Sequence, residues 1–341
     1  MSTVTTRTLT FREAINEALV QEMERDETVI LLGEDVAGGA GVEGFEQAGA
    51  WGGVLGVTKG LVERFGRNRV LDTPISESGF IGASVGAAAS GLRPVAELMF
   101  IDFFGVCFDQ IYNQGGKLRY MFGGRAKVPM VVRTMVGAGF RAAAQHSGSH
   151  YSVFAHFPGL KVVVPSTPAD AKGLLAAAIR DDDPVLFCEH KLLYDTAGEV
   201  PEGEHVVPLG VADVKREGDA ATIVAIGRMV RLALEAADTL STAGIEVEVV
   251  DPRTLSPLDA ETILASVRKT GRLVVVDEDH PRCSMATDLL ALAASEAFDH
   301  LEGPPQMVTA PHTPVPFSPA LEDLYLPSPE RIAAAVRRTL E

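Results

Sequence analysis

What most constrains this 341-residue chain is a rhythm that runs, breaks and starts again. Phe11 to Arg25 carries apolar residues at Ile15, Ala18, Leu19 and Met23, which is helical spacing. A short apolar strand, Val29 to Asp35, follows and ends in two carboxylates. Further strands are expected at Val95–Met99, Val128–Thr134, Lys161–Val164 and Val185–Cys188. Helices are expected between them at Gly105–Met121 and at Pro168–Arg180, the latter opened by a Ser-Thr-Pro start signal. From about Glu189 to Gly218 the pattern dissolves into a Gly/Pro/Glu-containing linker. It resumes with strand Ala220–Gly227, helix Met229–Ala243, strand Ile245–Asp251, helix Asp259–Lys269 and strand Arg272–Asp279. Short apolar strands alternating with helices imply parallel, doubly wound sheets. The fold class is therefore α/β with two such domains, over residues 1–190 and 219–341, joined by residues 191–218. A single core rarely grows beyond roughly 250–300 residues, in keeping with that division.

Within the first domain, Arg69–Gly91 (RVLDTPISESGFIGASVGAAASG) sets one carboxylate, Glu77, between an extended run and a string of tiny residues. Pro74 disfavours helix at Thr73, so the chain is extended up to Ile75. The Gly, Ala and Ser that follow suit a helix against which another backbone can pack closely. A carboxylate at such a junction is a candidate for acid–base chemistry. On those residues alone the favoured reading is a helix start capped by Ser76 or Ser78, with Glu77 near the positive end of the dipole.

The net charge of −16 excludes a general nucleic-acid binder, which needs basic patches. No apolar stretch reaches about 18 residues, so no membrane span is expected. The N-terminus lacks a charged-then-apolar signal, and the three cysteines, Cys107, Cys188 and Cys283, are odd in number and widely spaced. Together these point to a cytoplasmic protein with reduced thiols.

No G-x-S-x-G, H-E-x-x-H, Cys-x-x-Cys or Walker lysine motif is present, so hydrolase, zinc-enzyme and ATPase readings gain no support. The glycine-rich run Asp35–Gly53 fits neither G-x-G-x-x-G nor a P-loop. What remains is a set of acids (Glu34, Asp35, Glu77, Asp109) and two histidines, His146 and His150, in AAQHSGSH. A loop imidazole can face a ligand or simply bond to backbone. Asp109 on its own reads first as a salt-bridged helix residue. The Met99–Phe104 run is mostly core, with one or two aromatics able to line a planar-ligand pocket. Arg93, before Pro94, reads as a cap for a helix C-terminus.

Taken in order, LLGED, LDTPISE, GLRPVAELMF, AAQHS, PGLKVVVPS, DAKGLL, AIRDDDPV, DPRTLSPLD and TAPHTPVPFSP closely resemble the β subunits of E1 components of 2-oxo acid dehydrogenase-type complexes. These are transketolase-like, thiamine-diphosphate enzymes. EDVAGGA, AWGGVLGVTKGL, LRYMFGG and EVPEGEHVVPLGVADVKREG resemble the acetoin dehydrogenase members more than the pyruvate ones. The resemblance implies a pyrimidine-binding domain followed by a transketolase C-terminal domain. It implies that Glu77 bonds N1′ of the cofactor's aminopyrimidine and that His146 is the second catalytic residue, in contact with substrate. By the same carry-over Met99, Phe103 and Ile75 flank the ring. Glu34 and Asp109 line an acidic, water-filled path between two cofactors, and the carbonyls of Ala178, Asp181 and Asp183 match a structural potassium site of some members.

The magnesium motif G-D-G with its distant Asn is missing, so an α subunit is expected to supply Mg²⁺ and the diphosphate site in an α2β2 tetramer that hands acyl groups to an E2 lipoyl carrier. A self-sufficient transketolase-like enzyme is disfavoured for the same reason. The alternatives are a pyruvate or branched-chain oxo-acid E1 β subunit, and a non-catalytic scaffold that docks E2. One departure stands beside His146: Gly148-Ser149-His150-Tyr151 replaces the family's Gln-Ser/Cys-Leu-Tyr.

Overall fold

The computed structural model of the chain describes residues 5–38 and 51–341. Most of the glycine-rich run, residues 39–50, therefore lies outside the described residues. The chain divides into two compact units, one of Met1–Met135, Phe154–Glu189 and Leu193–Leu209, the other of Val136–Val153, His190–Leu192 and Gly210–Glu341.

In the first unit the strands lie in the order Lys161–Val163, Val185–His190, Val131–Val136, Arg93–Phe100, Val29–Gly33, Val70–Asp72. The pairings flanking Val29–Gly33 and Arg93–Phe100 are parallel. The interior strands are apolar on both faces because helices cover both, as parallel sheets require. Helix Phe11–Arg25 buries Phe11, Ile15, Leu19 and Met23 against Ala171, Leu174, Leu175 and Ala178 of helix Pro168–Arg180. Each starts where its sequence directs. Thr10 and Glu13 form a reciprocal capping box, and Thr167 accepts from the Asp170 amide with Pro168 in the first turn. The guanidinium of Arg93 donates to the carbonyls of Ile179 and Asp181 at 3.0 and 2.9 Å, the helix C-terminal cap expected of it.

The second unit carries a sheet in the order Gln306–Val308, Leu273–Val276, Ala221–Ala225, Val247–Asp251, Asp213–Arg216, parallel except for the last, antiparallel edge. Helices Met229–Ser241 and Pro329–Leu340 pack together over it, burying Leu232, Leu240, Ile332 and Val336.

Two features depart from the sequence reading. The stretch expected as linker contains two strands. Ala197–Pro201 pairs antiparallel with Thr6–Thr10, and Asp213–Arg216 closes the second sheet. Both are half-exposed edge pairings whose mixed composition hides a strand pattern. The single helix expected over Gly105–Met121 is instead α-helix Phe104–Asp109, a π-helical turn Gln110–Gly115 and α-helix Gly116–Met121. A Cβ on Gly116 would stand 3.1 Å from Leu160, so that glycine admits a close neighbour where the helix widens.

Candidate active site

Three adjacent parallel strands of the first unit end together, and the candidate residues follow from those ends. Carboxyl ends of strands are where α/β sheets bind ligands. Glu34 follows Val29–Gly33, the segment to Glu77 follows Val70–Asp72, and Met99 lies near the end of Arg93–Phe100. The ends are tied together: the Thr73 amide donates to the Gly33 carbonyl at 2.9 Å, and the Ala37 amide to Asp72 Oδ1 at 2.6 Å. Gly33 lets the strands approach closely, since a Cβ would stand 3.0 Å from both Cβ and the carbonyl oxygen of Glu97 on the neighbouring strand. The register of Arg93–Phe100 slips by one residue between Leu98 and Phe100, which makes Met99 the bulged residue. Bulges re-aim side chains and gather beside active sites.

Glu77 is the first residue of helix Glu77–Ala89. The capping alternative is not what the structure shows. Ser76 makes no side-chain cap bond, and Ser78 Oγ donates to the carbonyl of Val106 on the next helix. The helix therefore begins with a carboxylate at its positive end and no serine satisfying its amides. The tiny residues behind it do admit a close neighbour, because a Cβ at Gly82 would stand 3.2 Å from Gln110.

Glu34 is buried, and its Oε1 has no hydrogen-bond partner among the described residues. Burial holds its proton affinity above the usual carboxylate range, reinforced by the charges of Glu77, Asp35 and Glu97. Thr73 Oγ1 is another buried polar atom without a partner among the described residues. Buried polar atoms are rarely left this way, so each marks a place where a polar ligand could be met. Glu77 also reaches Cys107 electrostatically: burial first, and then the Glu77 charge, push the thiol up to about 12. Cys107 is consequently inert as a nucleophile.

Beneath these residues lies a buried ion cluster. Arg133 gives Glu189 two hydrogen bonds and Glu97 a third, all 2.7 Å, and Tyr194 donates to Glu189 at 2.7 Å. Burial raises the proton affinity of Glu97, with Arg133 opposing it. Sequence reasoning missed this cluster, although the signal was present as single charges within the apolar strands VAELMF and VVRTMV.

Phe103 meets Phe100 edge-on at 5.6 Å, and Met99 packs on the core from its half-buried position. Ile75 is 82% exposed, so nothing among the described residues covers it. Asp109 is exposed and accepts from Asn113 at 2.6 Å and Gln114 at 3.4 Å. The bond from Asn113, and then that from Gln114, hold its carboxyl below the usual range. At the candidate potassium residues, the Ala178 carbonyl accepts from the Asp181 amide, the Asp181 carbonyl accepts from Arg93, and Asp183 pairs with Arg119 at 2.7 Å. A monovalent cation there would share the Asp181 carbonyl with a guanidinium.

His146 belongs to the second unit. It ends a 3-10 turn, Ala144–His146, in a loop where Gly137, Gly139, Arg141 and Ala143 all adopt left-handed φ. For Arg141 and Ala143 that conformation costs on the order of 1–2 kcal/mol each. The surroundings hold it. The Ala138 amide donates to Glu278 and the Gly139 amide to Glu322, at 2.5 and 2.6 Å. Glu278 also meets His190 Nε2 at 2.9 Å, while His190 Nδ1 accepts from the Leu192 amide. Nε2 thus carries the proton, and burial keeps His190 neutral by lowering its proton affinity. Lys191 donates its ammonium to the carbonyl of His146 itself. Beside this loop a cavity of about 350 Å³ is lined by His150, His280, His312, Asp279 and Tyr325 among others.

The transketolase pyrimidine-binding domain family matches residues 7–196, and the transketolase C-terminal domain family matches residues 210–332. The β subunit of acetoin:2,6-dichlorophenolindophenol oxidoreductase from Bacillus subtilis (strain 168) is 60% identical, over 98% of each chain. Its counterpart in Cupriavidus necator is 62% identical, again over 98% of both. The pyruvate dehydrogenase E1 component β subunit of Rickettsia felis is 44% identical over 97% of this chain and 98% of its own. A solved chain described as a split-gene transketolase in an inactive β4 tetramer aligns over 97% of this chain and 98% of its own, with a TM-score of 0.76 at 24% identity, which speaks for the fold. Among the described residues no helix is long and apolar enough to cross a membrane.

Proposed function

The chain belongs to the thiamine-diphosphate-dependent E1 β-subunit family of the transketolase fold, and on that footing we propose that it is the β half of an α2β2 enzyme that cleaves acetoin and passes the two-carbon unit to the lipoyl group of an E2 acyltransferase. The observation that carries a catalytic reading is Glu77: an uncapped carboxylate at a helix start, beside the buried and partly unpartnered Glu34. A heteroaromatic ring bearing a ring nitrogen and an amino group is the kind of guest that such a pair of carboxyls, with Thr73 Oγ1, would satisfy. Acetoin is favoured over pyruvate by the 60% and 62% identities against 44%.

When bound, thiamine diphosphate supplies an acidic C2 position and an electron sink. The part assigned to this chain is proton management and orientation. Glu77, at the start of its helix, would hold a proton at the pyrimidine ring nitrogen, the position from which a carboxyl can act as general acid–base partner. Glu34, with its raised proton affinity, can take up or release that proton toward Asp109 along an acidic path. Met99, Phe103 and Ile75 would flank the ring, and His146 would contact the substrate oxygen. The α subunit contributes Mg²⁺ and the diphosphate site. Any potassium at Ala178, Asp181 and Asp183 would be structural. The enzyme is placed in the cytoplasm, where the free Cys107, Cys188 and Cys283 stay reduced.

The test is turnover by the co-expressed α/β pair with acetoin, pyruvate and branched-chain oxo acids, using 2,6-dichlorophenolindophenol as acceptor. Acetoin is expected to be the substrate used. Glu77→Gln is expected to lower kcat by about 10²–10⁴-fold, the usual worth of a general acid–base group. Turnover of pyruvate without acetoin overturns the substrate. An assembled Glu77→Gln pair with wild-type activity would instead support the scaffold reading.

A further inference from the structure

The loop that carries His146 does not hold its own shape. Four alternate residues, Gly137, Gly139, Arg141 and Ala143, adopt left-handed φ between 61° and 94°. Two of them are not glycine, and such a backbone persists only when its neighbours over-determine it. Each anchor comes from a charged side chain with little exposure. Glu322, fully buried, accepts from the Gly139 amide at 2.6 Å and pairs with Arg141 at 2.8 Å. Glu278, 4% exposed, accepts from the Ala138 amide and from His190. Lys191, 3% exposed, places its ammonium on the His146 carbonyl. The loop's ends are closed by the Gly137 amide donating to the Gly148 carbonyl at 2.9 Å. Space is as tightly specified as hydrogen bonding, since a Cβ at Gly137 would stand 2.1 Å from His190 Nε2.

Burying three charged side chains around one loop costs more than apolar packing would. Stability alone gives no reason for that arrangement, whereas precise placement of one imidazole does. We propose that Lys191 and Glu322, with Glu278 behind them, are positioning residues that fix the backbone of His146 and thereby set the rate of the step His146 serves. This inference rests on the reading of His146 as a substrate-contacting residue.

Lys191 acts at the histidine's own carbonyl, so it offers the sharpest test. The reconstituted α/β pair is prepared as wild type, Lys191→Met, Lys191→Arg, Glu322→Gln, His146→Ala and the double variant Lys191→Met/His146→Ala. Steady-state kcat and KM are measured across pH with acetoin and the indophenol acceptor. For Lys191→Met, kcat is expected to fall roughly 10–100-fold, the scale of a misplacement of about 1 Å. KM is expected to stay within about threefold, and Lys191→Arg to recover part of the loss. In the double variant Lys191→Met should cost nothing beyond His146→Ala, since residues acting as one unit are non-additive. Independent losses that multiply overturn the proposal, as does a Lys191→Met enzyme with normal kcat and only a lowered Tm. If Lys191→Met fails to assemble, the Glu322→Gln variant, which keeps an acceptor for the Gly139 amide, decides by the same kcat–KM split. A wild-type pair that ignores acetoin refutes the substrate assignment instead, and the series is then read with the oxo acid it does use.

Discussion

Replacing Arg133 with methionine tests whether the ion cluster under the candidate site is held together by its single cation. Arg133 is 1% exposed and makes three 2.7 Å hydrogen bonds, two to Glu189 and one to Glu97. Methionine fills much of the same volume but leaves two carboxylates facing each other in a dry interior. Removing one partner of a buried ion pair typically costs about 3–5 kcal/mol, most of it the desolvation left uncompensated. For a folding unit of this size each kcal/mol moves Tm by roughly 2–4 °C, so a fall of about 6–20 °C is expected by calorimetry. The loss should also depend on pH with a definite sign. Glu97 already has a raised proton affinity from burial, and Arg133 opposes that rise. Without Arg133 the rise grows, so the folded variant binds more protons than the unfolded chain and its stability falls as pH increases. The deficit relative to wild type should therefore be smaller at pH 5 than at pH 8. A Tm change under about 2 °C, or a deficit that grows on acidification, refutes the argument.

Two further outcomes follow from the buried groups. Burial and then the charge of Asp279, opposed by hydrogen bonds from Tyr151 and the Asp279 and Ala286 amides, raise the carboxyl of Asp277 to about 7, so the folded state holds a proton that the unfolded chain releases near pH 4, and stability declines as pH rises toward 7. Asp277→Asn should flatten the Tm-against-pH curve between pH 5 and 8, and parallel curves for variant and wild type would contradict this. Native thiol labelling should modify Cys283, which is exposed, and spare Cys107 and Cys188, which are buried with proton affinities raised mainly by that burial; mass spectrometry showing prompt labelling of either buried thiol would count against the fold around it.

How much of this was legible in the sequence depends on the range over which each feature is specified. The strands around Glu34, Glu77 and Met99 were readable because burial on both faces leaves continuous apolar runs, and the start of helix Pro168–Arg180 because Thr167 and Pro168 act within one turn. The strand pair Thr6–Thr10 and Ala197–Pro201 was not, since its partners lie nearly two hundred residues apart and each is half-exposed. Glu77 was visible as a candidate, yet the serine cap beside it was the favoured reading from those residues alone, and Ser78 is bonded to Val106 instead. Lys191, Glu278 and Glu322 were invisible for the same reason as Arg133. A charge within or beside an apolar strand announces that some partner must exist, while only the fold says which. That asymmetry gives the two halves of the candidate machinery different standing. Glu77 belongs to a contiguous motif whose local geometry the sequence largely determines. His146 occupies a loop whose shape is imposed from residues 190–191, 278 and 322, so its placement is a property of the second unit as a whole. Substitutions far from His146 in sequence should then disturb its step, while the carboxylates at the strand ends of the first unit should answer mainly to changes in their own neighbourhood.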